Sequence, residues 1–326
     1  MGTPISDFVV REERTLDELS DTGYNTVAVD TYTWLHAFVE AIPGGPGVLT
    51  DEEGRTTSHL QGLYPRTMNM IEVGIYPVFI LEGGYPDLKE EELQRREEKR
   101  KEKREEEMRR FLVEDDYGEI VGSKIDDEVL QSAIDLIEAM GCAHITPPGE
   151  GEAQAARMCE DGQVDTVISV DYDTLLFGSD SFVQNLTSTS GDLIDLGESL
   201  EQHDLTYREL IWMGLLLGTD YNESPYGVGP KTARDIVDTS ESISGVIERA
   251  SEYDEIDEER WRSAYKIYTQ PNVDLGVSWE SQSVPDRDAI REILVEKHGF
   301  SESRVMNKIE PAQETVQQGS LQDWTE

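Results

Sequence analysis

The stretch Thr26-Val27-Ala28-Val29-Asp30 is an apolar run that ends in a carboxylate. A short run of small and β-branched apolar residues predicts a buried strand. The same arrangement recurs twice, because Tyr76 to Leu81 precedes Glu82 and Thr166 to Val170 precedes Asp171. Open α/β sheets bind their ligands at the carboxyl ends of their strands. The sequence therefore predicts three acids gathered at one edge of a sheet.

Strand-like and helical patterns alternate along the first half of the chain. Ala143 to Thr146 is a further strand-like run, and helical patterns cover Thr31 to Ile42, Thr57 to Val73 and Asp126 to Met140. This alternation is typical of βαβ units and predicts an α/β fold, with a mainly parallel central sheet flanked by helices. From Leu205 onward the pattern is largely helical, and a turn is expected at Gly227-Val228-Gly229-Pro230.

The composition is strongly acidic. The 326 residues include 69 acids and 28 bases, a formal charge of −41, while a hydrophobic content of 37% is enough for a core. Such an acidic shell favours solubility and indicates a salty cytoplasm. At molar salt the Debye length is about 3 Å, so an acidic protein can still approach DNA. Because acids are so common here, only their joint placement at strand ends is informative.

Several classes of site and location are disfavoured. Cys142 and Cys159 are the only cysteines and have no CxxC spacing, so neither a disulfide framework nor a zinc site is expected. The five histidines are dispersed, which disfavours a histidine metal centre. No signal-peptide pattern and no run of 18 apolar residues is present. The sequence predicts a soluble, cytoplasmic protein.

Seven carboxylates form the candidate metal site. Two pairs have i,i+2 spacing, which in extended backbone places both side chains on one side. Acids about 4 Å apart repel one another by about 1 kcal/mol in water and by more at lower dielectric. Hard divalent cations such as Mg²⁺ or Mn²⁺ relieve that repulsion, so a two-metal phosphodiesterase is expected. The predicted metal ligands are Asp30, Glu82, Glu150, Glu152, Asp171, Asp173 and Asp220.

One segment differs in charge from the rest of the chain. Lys89 to Arg110 holds 10 of the 28 basic residues, and five Glu-before-base pairs at i,i+4 spacing, such as Glu91–Arg95, support a helix there. A solvated spacer helix is one interpretation of this pattern. A local charge near +1 within a chain at −41 favours the other, a helix that contacts phosphates.

Six longer motifs together resemble the flap endonuclease family in its archaeal form. This family consists of structure-specific 5′-nucleases of replication and repair. The similarity runs from Gly2 to the last few residues, in the order and spacing of the family. The motifs are Val27-Ala28-Val29-Asp30, Thr57-Ser58-His59-Leu60, Gly74-Ile75-Tyr76-Pro77-Val78, Gly149-Glu150-Gly151-Glu152-Ala153-Gln154-Ala155-Ala156, Asp171-Tyr172-Asp173-Thr174-Leu175-Leu176-Phe177-Gly178 and Leu217-Gly218-Thr219-Asp220-Tyr221.

The resemblance implies a 5′-nuclease (PIN-like) fold and a domain organisation. Residues 1–312 would form the nuclease domain, with a basic helical arch at about 85–122 and a helix-hairpin-helix element at about 220–245. Residues 313–326 would form a tail that binds the sliding clamp. The implied activity is metal-dependent endonuclease and 5′-3′ exonuclease cleavage of DNA phosphodiesters at single-strand/double-strand junctions, by a monomer.

The resemblance also assigns roles to residues. The seven carboxylates would hold two Mg²⁺ ions, with Mn²⁺ as the alternative, and K⁺ would bind at the hairpin. Lys89 and Arg96 would be the catalytic cations that reach over the scissile phosphate. Gln318, Leu321 and Trp324 would dock on the clamp, the last two sharing a face of a short 3₁₀ turn. The implied DNA-binding residues are Gly2, His36, Arg66, Glu150, Gly218, Asp220, Gly227, Gly229 and Lys231.

The chain departs from the family pattern at several positions. Glu82 stands where the family commonly has Asp, and Gly84 replaces a Lys. His36 replaces a Tyr that stacks on the nucleotide beside the cut, a role that Trp34 or Tyr32 could take over. Pro65 lies inside a predicted helix, where it should kink or interrupt the helix. The tail has Thr325 in place of a second aromatic residue.

Three functions are consistent with this sequence. The leading hypothesis is an active 5′-flap endonuclease, and a close relative with more exonuclease or gap-endonuclease character is a second enzymatic reading. A nuclease-weakened, clamp-recruited junction-binding protein is an alternative of another class. The presence of a carboxylate at all seven positions argues against the last, since a protein that only binds gains nothing from clustered acids.

Overall fold

A computed structural model describes residues 3–40, 49–84 and 125–322. Its centre is a mixed sheet of seven strands in the order β1-β7-β6-β5-β2-β3-β4. Flanking helices make it the α/β fold that the sequence predicts. The strands are β1 (Arg11–Thr15), β2 (Thr26–Asp30), β3 (Tyr76–Ile80), β4 (Ala143–Ile145), β5 (Thr166–Ile168), β6 (Ser181–Gln184) and β7 (Ser190–Asp195).

The middle of the sheet is parallel. Strand β2 pairs in parallel with β3 on one side and with β5 on the other. Strands β4 and β6 extend this parallel block outward. All four strands that the sequence predicts are therefore present. The carboxyl ends of β5, β2 and β3 lie side by side.

Three strands, β1, β6 and β7, were not predicted from the sequence. Strand β1, Arg-Glu-Glu-Arg-Thr, is mostly exposed at one end of the sheet and pairs antiparallel with β7, which pairs antiparallel with β6. Because β1 carries four charges, its composition does not indicate a strand. Strand β4, at the other end, has only three residues.

The helices surround this sheet and extend beyond it. A 3₁₀ turn covers Ser6–Phe8 and a π-helical segment covers Glu292–Lys297. The α-helices are α1 (Leu16–Asp21), α2 (Thr31–Glu40), α3 (Ser58–Glu72), α4 (Asp127–Ala139), α5 (Gly151–Glu160), α6 (Asp173–Leu176), α7 (Leu196–His203), α8 (Tyr207–Leu217), α9 (Pro230–Val237), α10 (Ile243–Ala250), α11 (Glu258–Thr269), α12 (Arg287–Arg291) and α13 (Glu302–Gln322).

A hydrophobic core lies against each face of the sheet. Successive strand residues point to opposite faces, so that Ala28 belongs to one core while Val27 and Val29 belong to the other. The first core packs the sheet against α5, α8 and α11, and it includes the buried Trp212 and Trp261. The second packs the sheet against α3, α4 and α13. The two cores fix the sheet edge from both sides.

Helix α3 continues through Pro65. The sequence predicts that Pro65 kinks or interrupts this helix. The interruption is wrong, because the helix runs without a break from Ser58 to Glu72. A proline inside a helix costs about 3 kcal/mol in lost hydrogen bonding and steric conflict. Buried side chains on both sides of it, including Leu60 and Met68, anchor the helix in the second core. Their burial offsets the cost.

Some predicted features lie outside the described residues, among them the basic segment Lys89 to Arg110 and the last four residues. Helix α13 crosses the predicted boundary at residue 312 and reaches Gln322. None of the helices in the described ranges combines the length and apolarity needed to cross a membrane.

Candidate active site

The predicted acids lie where the parallel strands end. Asp30 is the last residue of β2 and is fully buried. Glu82 follows β3 by two residues, and Asp171 follows β5 by three. Because β5, β2 and β3 are neighbours, these three acids share one edge. The predicted sheet edge is therefore formed, while the joint role of these acids stays a prediction.

Ser169 links two of these acids. Its hydroxyl donates to Asp30 Oδ2 over 3.1 Å and accepts from the backbone N–H of Asp171 at 3.1 Å. Asp30 Oδ2 also accepts the hydroxyl proton of Thr33 at 2.5 Å. Neutral donors therefore hold Asp30 in place beside the loop that carries Asp171.

Asp173 is, like Asp30, a deeply buried acid of this cluster. It is 2% exposed, and its Oδ1 accepts from the N–H of Thr3 at 3.3 Å and from the Thr3 hydroxyl. Its Oδ2 accepts from the Tyr268 hydroxyl at 2.8 Å. Burial, followed by the charges of Asp171 and Asp220, raises the pKa of Asp173 well above its ordinary value. These three acids are close enough for their like charges to matter.

The two acid pairs lie on local structure that the sequence analysis did not foresee. Glu150 occupies the N-cap position of α5, without a side-chain capping hydrogen bond, and Glu152 lies in its first turn. Asp173 begins α6, and its backbone N–H donates to Asp171 Oδ1 at 3.1 Å. The expectation of extended backbone with alternating side chains is therefore wrong. Helix starts orient both pairs, and exposed N–H groups at such starts favour negative charge.

A second part of the edge surrounds Glu82 and Glu150. The backbone N–H of Gly151 donates to Glu82 Oε2 at 3.3 Å, which joins the end of β3 to the start of α5. The Tyr221 hydroxyl donates to Glu150 Oε2. Glu150 and Glu152 are 3% and 6% exposed. A cavity of about 290 Å³ opens beside Glu150, and Gly149 and Asn272 are among the residues that line it.

Two buried tyrosines connect the two parts of the edge. The rings of Tyr221 and Tyr268 meet at 5.2 Å between centroids, nearly perpendicular. One hydroxyl reaches Glu150 and the other reaches Asp173. Burial, together with the adjoining carboxylate, raises the pKa of each phenol. Both phenols therefore act as protonated donors at neutral pH.

The donor set suits hard divalent cations, since it consists of carboxylate oxygens. The mutual repulsion of Asp171, Asp173 and Asp220 is the kind that such cations relieve. Within residues 3–40, 49–84 and 125–322, however, no three Asp, Glu, His or Cys side chains converge tightly enough to hold an ion as they stand. The seven-ligand metal site stays a prediction.

The glycine-rich turn Gly227-Val228-Gly229-Pro230 lies a few residues after Asp220 in the sequence. Gly218 ends α8 with φ +93°, and a Cβ there would lie 3.1 Å from the backbone nitrogen of Ser224. Gly227 has φ +81°, and Gly229 precedes α9 with open space around both. Lys231 is exposed in the first turn of α9. A turn lies before α9, where the sequence predicts one. The helix-hairpin-helix element and its DNA and K⁺ contacts stay predictions.

One neighbour of the hairpin was not anticipated. Tyr226 is 85% exposed, and its backbone N–H donates to Asp254 Oδ2 at 2.8 Å. An exposed aromatic side chain beside open glycines is a surface that bases or sugars can contact.

The predicted stacking residues lie on α2. His36 is exposed. Trp34 is 3% exposed and packs against Phe38 and Phe79, so it belongs to the core and cannot stack on a nucleotide. Tyr32 is half-buried, and burial and the charge of Glu82 raise its pKa. His36 and Tyr32 are the remaining candidates.

The Arg66 side chain makes several contacts within the protein. Its guanidinium donates to the carbonyls of Leu186 and Gly62, each over 3.1 Å, and lies 4.7 Å above the Phe38 ring. Its DNA contact stays a prediction.

Other predicted residues cannot be placed. Gly2, Lys89, Arg96 and Trp324 lie outside the described residues, as does the side chain of Leu321. Gln318 is exposed on α13. The predicted catalytic cations and clamp anchors stay predictions.

The sequence analysis missed the residues that orient the acids. Thr3, Ser169 and Tyr268 carry no local signal of this role. In α11, burial of Trp261, Ala264 and Tyr268 follows helical spacing, which identifies a core face but not the carboxylate that the Tyr268 hydroxyl reaches. Tyr221 lies within a recognised motif, yet its hydrogen bond to Glu150 spans 71 residues.

Comparison with known proteins places this site in a family context. The sequence matches the XPG N-terminal domain over residues 6–103 and the XPG I-region over residues 141–220. All seven predicted metal carboxylates lie within these two segments. The flap endonuclease 1 of Staphylothermus marinus is 34% identical over 95% of this chain and 94% of its own length.

Two solved structures are similar to this one over almost the whole chain. The flap endonuclease-1 from Methanococcus jannaschii has a TM-score of 0.75 and 26% identity, covering 98% of this chain and 100% of that one. The catalytic core of Rad2 in complex with DNA substrate also has a TM-score of 0.75, at 22% identity, covering 95% of this chain and 100% of that one. The second likeness concerns the fold alone.

Proposed function

Because the chain belongs to the flap endonuclease family, we propose that it is a structure-specific 5′-flap endonuclease that also works as a 5′-3′ exonuclease. Its substrate is DNA at single-strand/double-strand junctions, and its reaction is phosphodiester hydrolysis. The observation that carries this proposal is the gathering of Asp30, Glu82 and Asp171 at the carboxyl ends of three adjacent strands. The relatives are named for the same activity.

Family members depend on divalent metal ions in general. We propose two Mg²⁺ ions, with Mn²⁺ as a substitute, held by the seven carboxylates. Bound divalent ions supply activation of the attacking water and stabilisation of charge on the phosphodiester. The chain's own residues orient the carboxylates: Ser169 and Thr33 hold Asp30, while Thr3 and Tyr268 hold Asp173.

The hairpin supports a proposed duplex-binding role. Open space at Gly227 and Gly229 lets a sugar-phosphate backbone approach closely, and the start of α9 presents N–H groups and Lys231. K⁺ is the proposed cation there. Tyr226 adds an apolar contact, which salt weakens less than it weakens an ionic one.

Cleavage of a 5′-flap duplex tests the proposal. The protein is expected to cut near the junction with Mg²⁺ in molar salt, to stop when EDTA is added, and to leave a matched 3′-flap uncut. Flap binding with no cleavage under any divalent metal would favour the junction-binding alternative. Cleavage of all duplexes alike would contradict structure specificity.

The basic segment supports a further part of the proposal. We infer that Lys89 and Arg96 stabilise charge on the attacked phosphate, so K89A and R96A should lower the single-turnover rate more than flap affinity. Lys99→Ala, in the same basic segment, is the matched control. Equal losses of rate and affinity would reduce both residues to phosphate contacts.

The tail is the proposed clamp-binding element. Gln318, Leu321 and Trp324 provide one polar and two apolar anchors, and truncation of a buried aromatic anchor commonly costs about 2 kcal/mol or more. A peptide of residues 313–326 should bind the cognate sliding clamp in calorimetry, and W324A should weaken it most. Absence of binding at high micromolar concentration would remove this partner.

Composition supports proposals on environment and assembly. The charge of −41 is consistent with a high-salt cytoplasm, where counter-ions screen acidic surfaces. We propose that the protein works there as a monomer. Light scattering across salt concentrations tests both statements, since aggregation or unfolding at molar salt would contradict them.

A further inference from the structure

Tyr268 reaches the acid edge from outside the segments that match the XPG family. It lies on α11, 1% exposed, and its hydroxyl donates to Asp173 Oδ2 over 2.8 Å. We propose that Tyr268 is a positioning residue of the active site, whose hydroxyl holds the Asp173 carboxylate in the orientation that receives a divalent metal ion. This role rests on the proposed function.

The carboxylate is held from two sides. Thr3 donates its backbone N–H and its hydroxyl to Oδ1, while Tyr268 donates to Oδ2. Rotation about the Cβ–Cγ bond would break hydrogen bonds on both oxygens. Each carboxylate oxygen has about two acceptor sites. The two hydrogen bonds from Thr3 occupy those of Oδ1, whereas Oδ2 accepts one hydrogen bond from Tyr268 and retains capacity for a metal ion.

A neutral donor suits this task better than a cation. Lys or Arg at the position of Tyr268 would neutralise the carboxylate and compete with the metal ion. A phenol has an ordinary pKa near 10 and therefore donates one proton at neutral pH without adding charge. Oriented second-layer partners of this kind commonly change metal affinity by about 10- to 100-fold.

The ring of Tyr268 is fixed by aromatic neighbours. Its centroid lies 4.9 Å from that of Phe177 and 5.2 Å from that of Tyr221. Because Tyr221 donates to Glu150, the packed pair of rings sets the positions of two acids that stand 23 residues apart in sequence. Tyr268 therefore orients the Asp173 carboxylate and, through its packing with Tyr221, also fixes its position relative to Glu150.

The competing explanation is a hydroxyl that merely satisfies its own hydrogen bond in the core. Both explanations predict some loss of folding stability when the hydroxyl is removed. They differ in metal affinity, which only a positioning role changes. Tyr268→Phe removes the hydroxyl and keeps the ring.

The decisive experiment titrates Mn²⁺ into the full-length wild type and Tyr268→Phe without DNA, by calorimetry, and records the Mg²⁺ midpoint of single-turnover flap cleavage. We expect Tyr268→Phe to bind Mn²⁺ about tenfold more weakly and to need about tenfold more Mg²⁺, with most of the rate restored at saturation. Tyr265→Phe, which removes a hydroxyl from a half-buried position of the same helix, is the matched control and should titrate as wild type.

Thermal unfolding in EDTA confirms that each variant is folded. Wild-type Mn²⁺ affinity together with a wild-type Mg²⁺ midpoint in Tyr268→Phe would overturn the positioning role while leaving the nuclease intact. A wild type that neither binds Mn²⁺ nor cuts flaps would overturn the proposed function, and the positioning role with it.

Discussion

Asp51 and Asp173 are both buried carboxylates, and their surroundings are opposite. Asp51 accepts from Arg55 Nε at 2.7 Å and from His298 Nδ1 at 2.9 Å. Although burial opposes its ionisation, the hydrogen bonds from Arg55 and His298 lower the pKa of Asp51. The described donors to Asp173 are neutral, and burial with nearby acids raises its pKa.

This difference separates a carboxylate that holds the fold together from one kept for an external cation. Asp51 ties the loop before α3 to the end of the π-helical segment, 247 residues away. Its charge is compensated within the protein. The Asp173 carboxylate is oriented by donors that do not neutralise its charge. A metal cation is therefore attracted more strongly to Asp173 than to Asp51.

The largest effect is expected at Asp173. Asp173→Ala and Asp173→Asn should lower single-turnover flap cleavage by about a thousandfold or more while flap binding is retained, because metal stabilisation of the transition state is lost. Asp171→Ala should behave alike. In EDTA, Asp173→Asn should unfold at no lower temperature than wild type, since one repelling charge is gone. Near wild-type cleavage by any of these variants would break the comparison.

Asp51→Asn should do the reverse. Removal of one partner of a largely buried ion pair should lower the free energy of unfolding by about 3 kcal/mol. Mn²⁺ affinity of the folded protein should stay unchanged. Urea unfolding and calorimetry measure the two quantities, and a normal stability would mean that Arg55 and His298 find other partners.

Acid should destabilise the folded protein, because the buried side chain of His59 resists protonation. Burial, followed by the charge of His298, lowers the pKa of His59 from 6.5 to about 4. The unfolded chain thus takes up this proton first as the pH falls. Stability should be unaffected above pH 6.5 and fall between pH 6.5 and 4, by about 2 kcal/mol at pH 5.

The measurement is urea unfolding at pH 7.5 and pH 5 in constant salt. His59→Gln should flatten this dependence, whereas His144→Gln, at a half-exposed position, should keep it. An unchanged slope in His59→Gln would assign the acid sensitivity to other groups.

The smallest effect is expected on the surface. Glu258 and Arg262 form an i,i+4 ion pair whose side chains are 59% and 44% exposed. Glu258→Gln should change the free energy of unfolding by no more than about 0.5 kcal/mol. A change near that expected for Asp51→Asn would mean that burial does not distinguish these acids.

The parallel strands could be predicted because burial on both faces leaves a continuous apolar run. Val27 to Val29 and Val78 to Ile80 have that pattern, and the acids that follow them could be assigned to one edge. Strand β1 could not be predicted, since its charged side chains face solvent and only pairing with β7 makes it a strand.

The acid edge was predicted by residue and only partly by geometry. Gly-Glu-Gly-Glu suggested an extended segment, but Glu150 directly precedes a helix whose residues from Gly151 to Cys159 are mostly buried. Tertiary packing determined that helix start. The contacts of Asp173 with Thr3 and Tyr268 span 170 and 95 residues, and no local pattern encodes such separations.

The two edge strands of the sheet affect how readily the protein aggregates at high concentration. An open sheet edge is a template on which another chain can add a strand. At one end, β1 presents Arg11, Glu12, Glu13 and Arg14, charges of both signs that a neighbouring backbone would have to desolvate. At the other, β4 offers three residues, too few for a stable new pairing. The fold thereby protects itself against fibril-like growth, even where concentrated salt screens the repulsion between whole molecules.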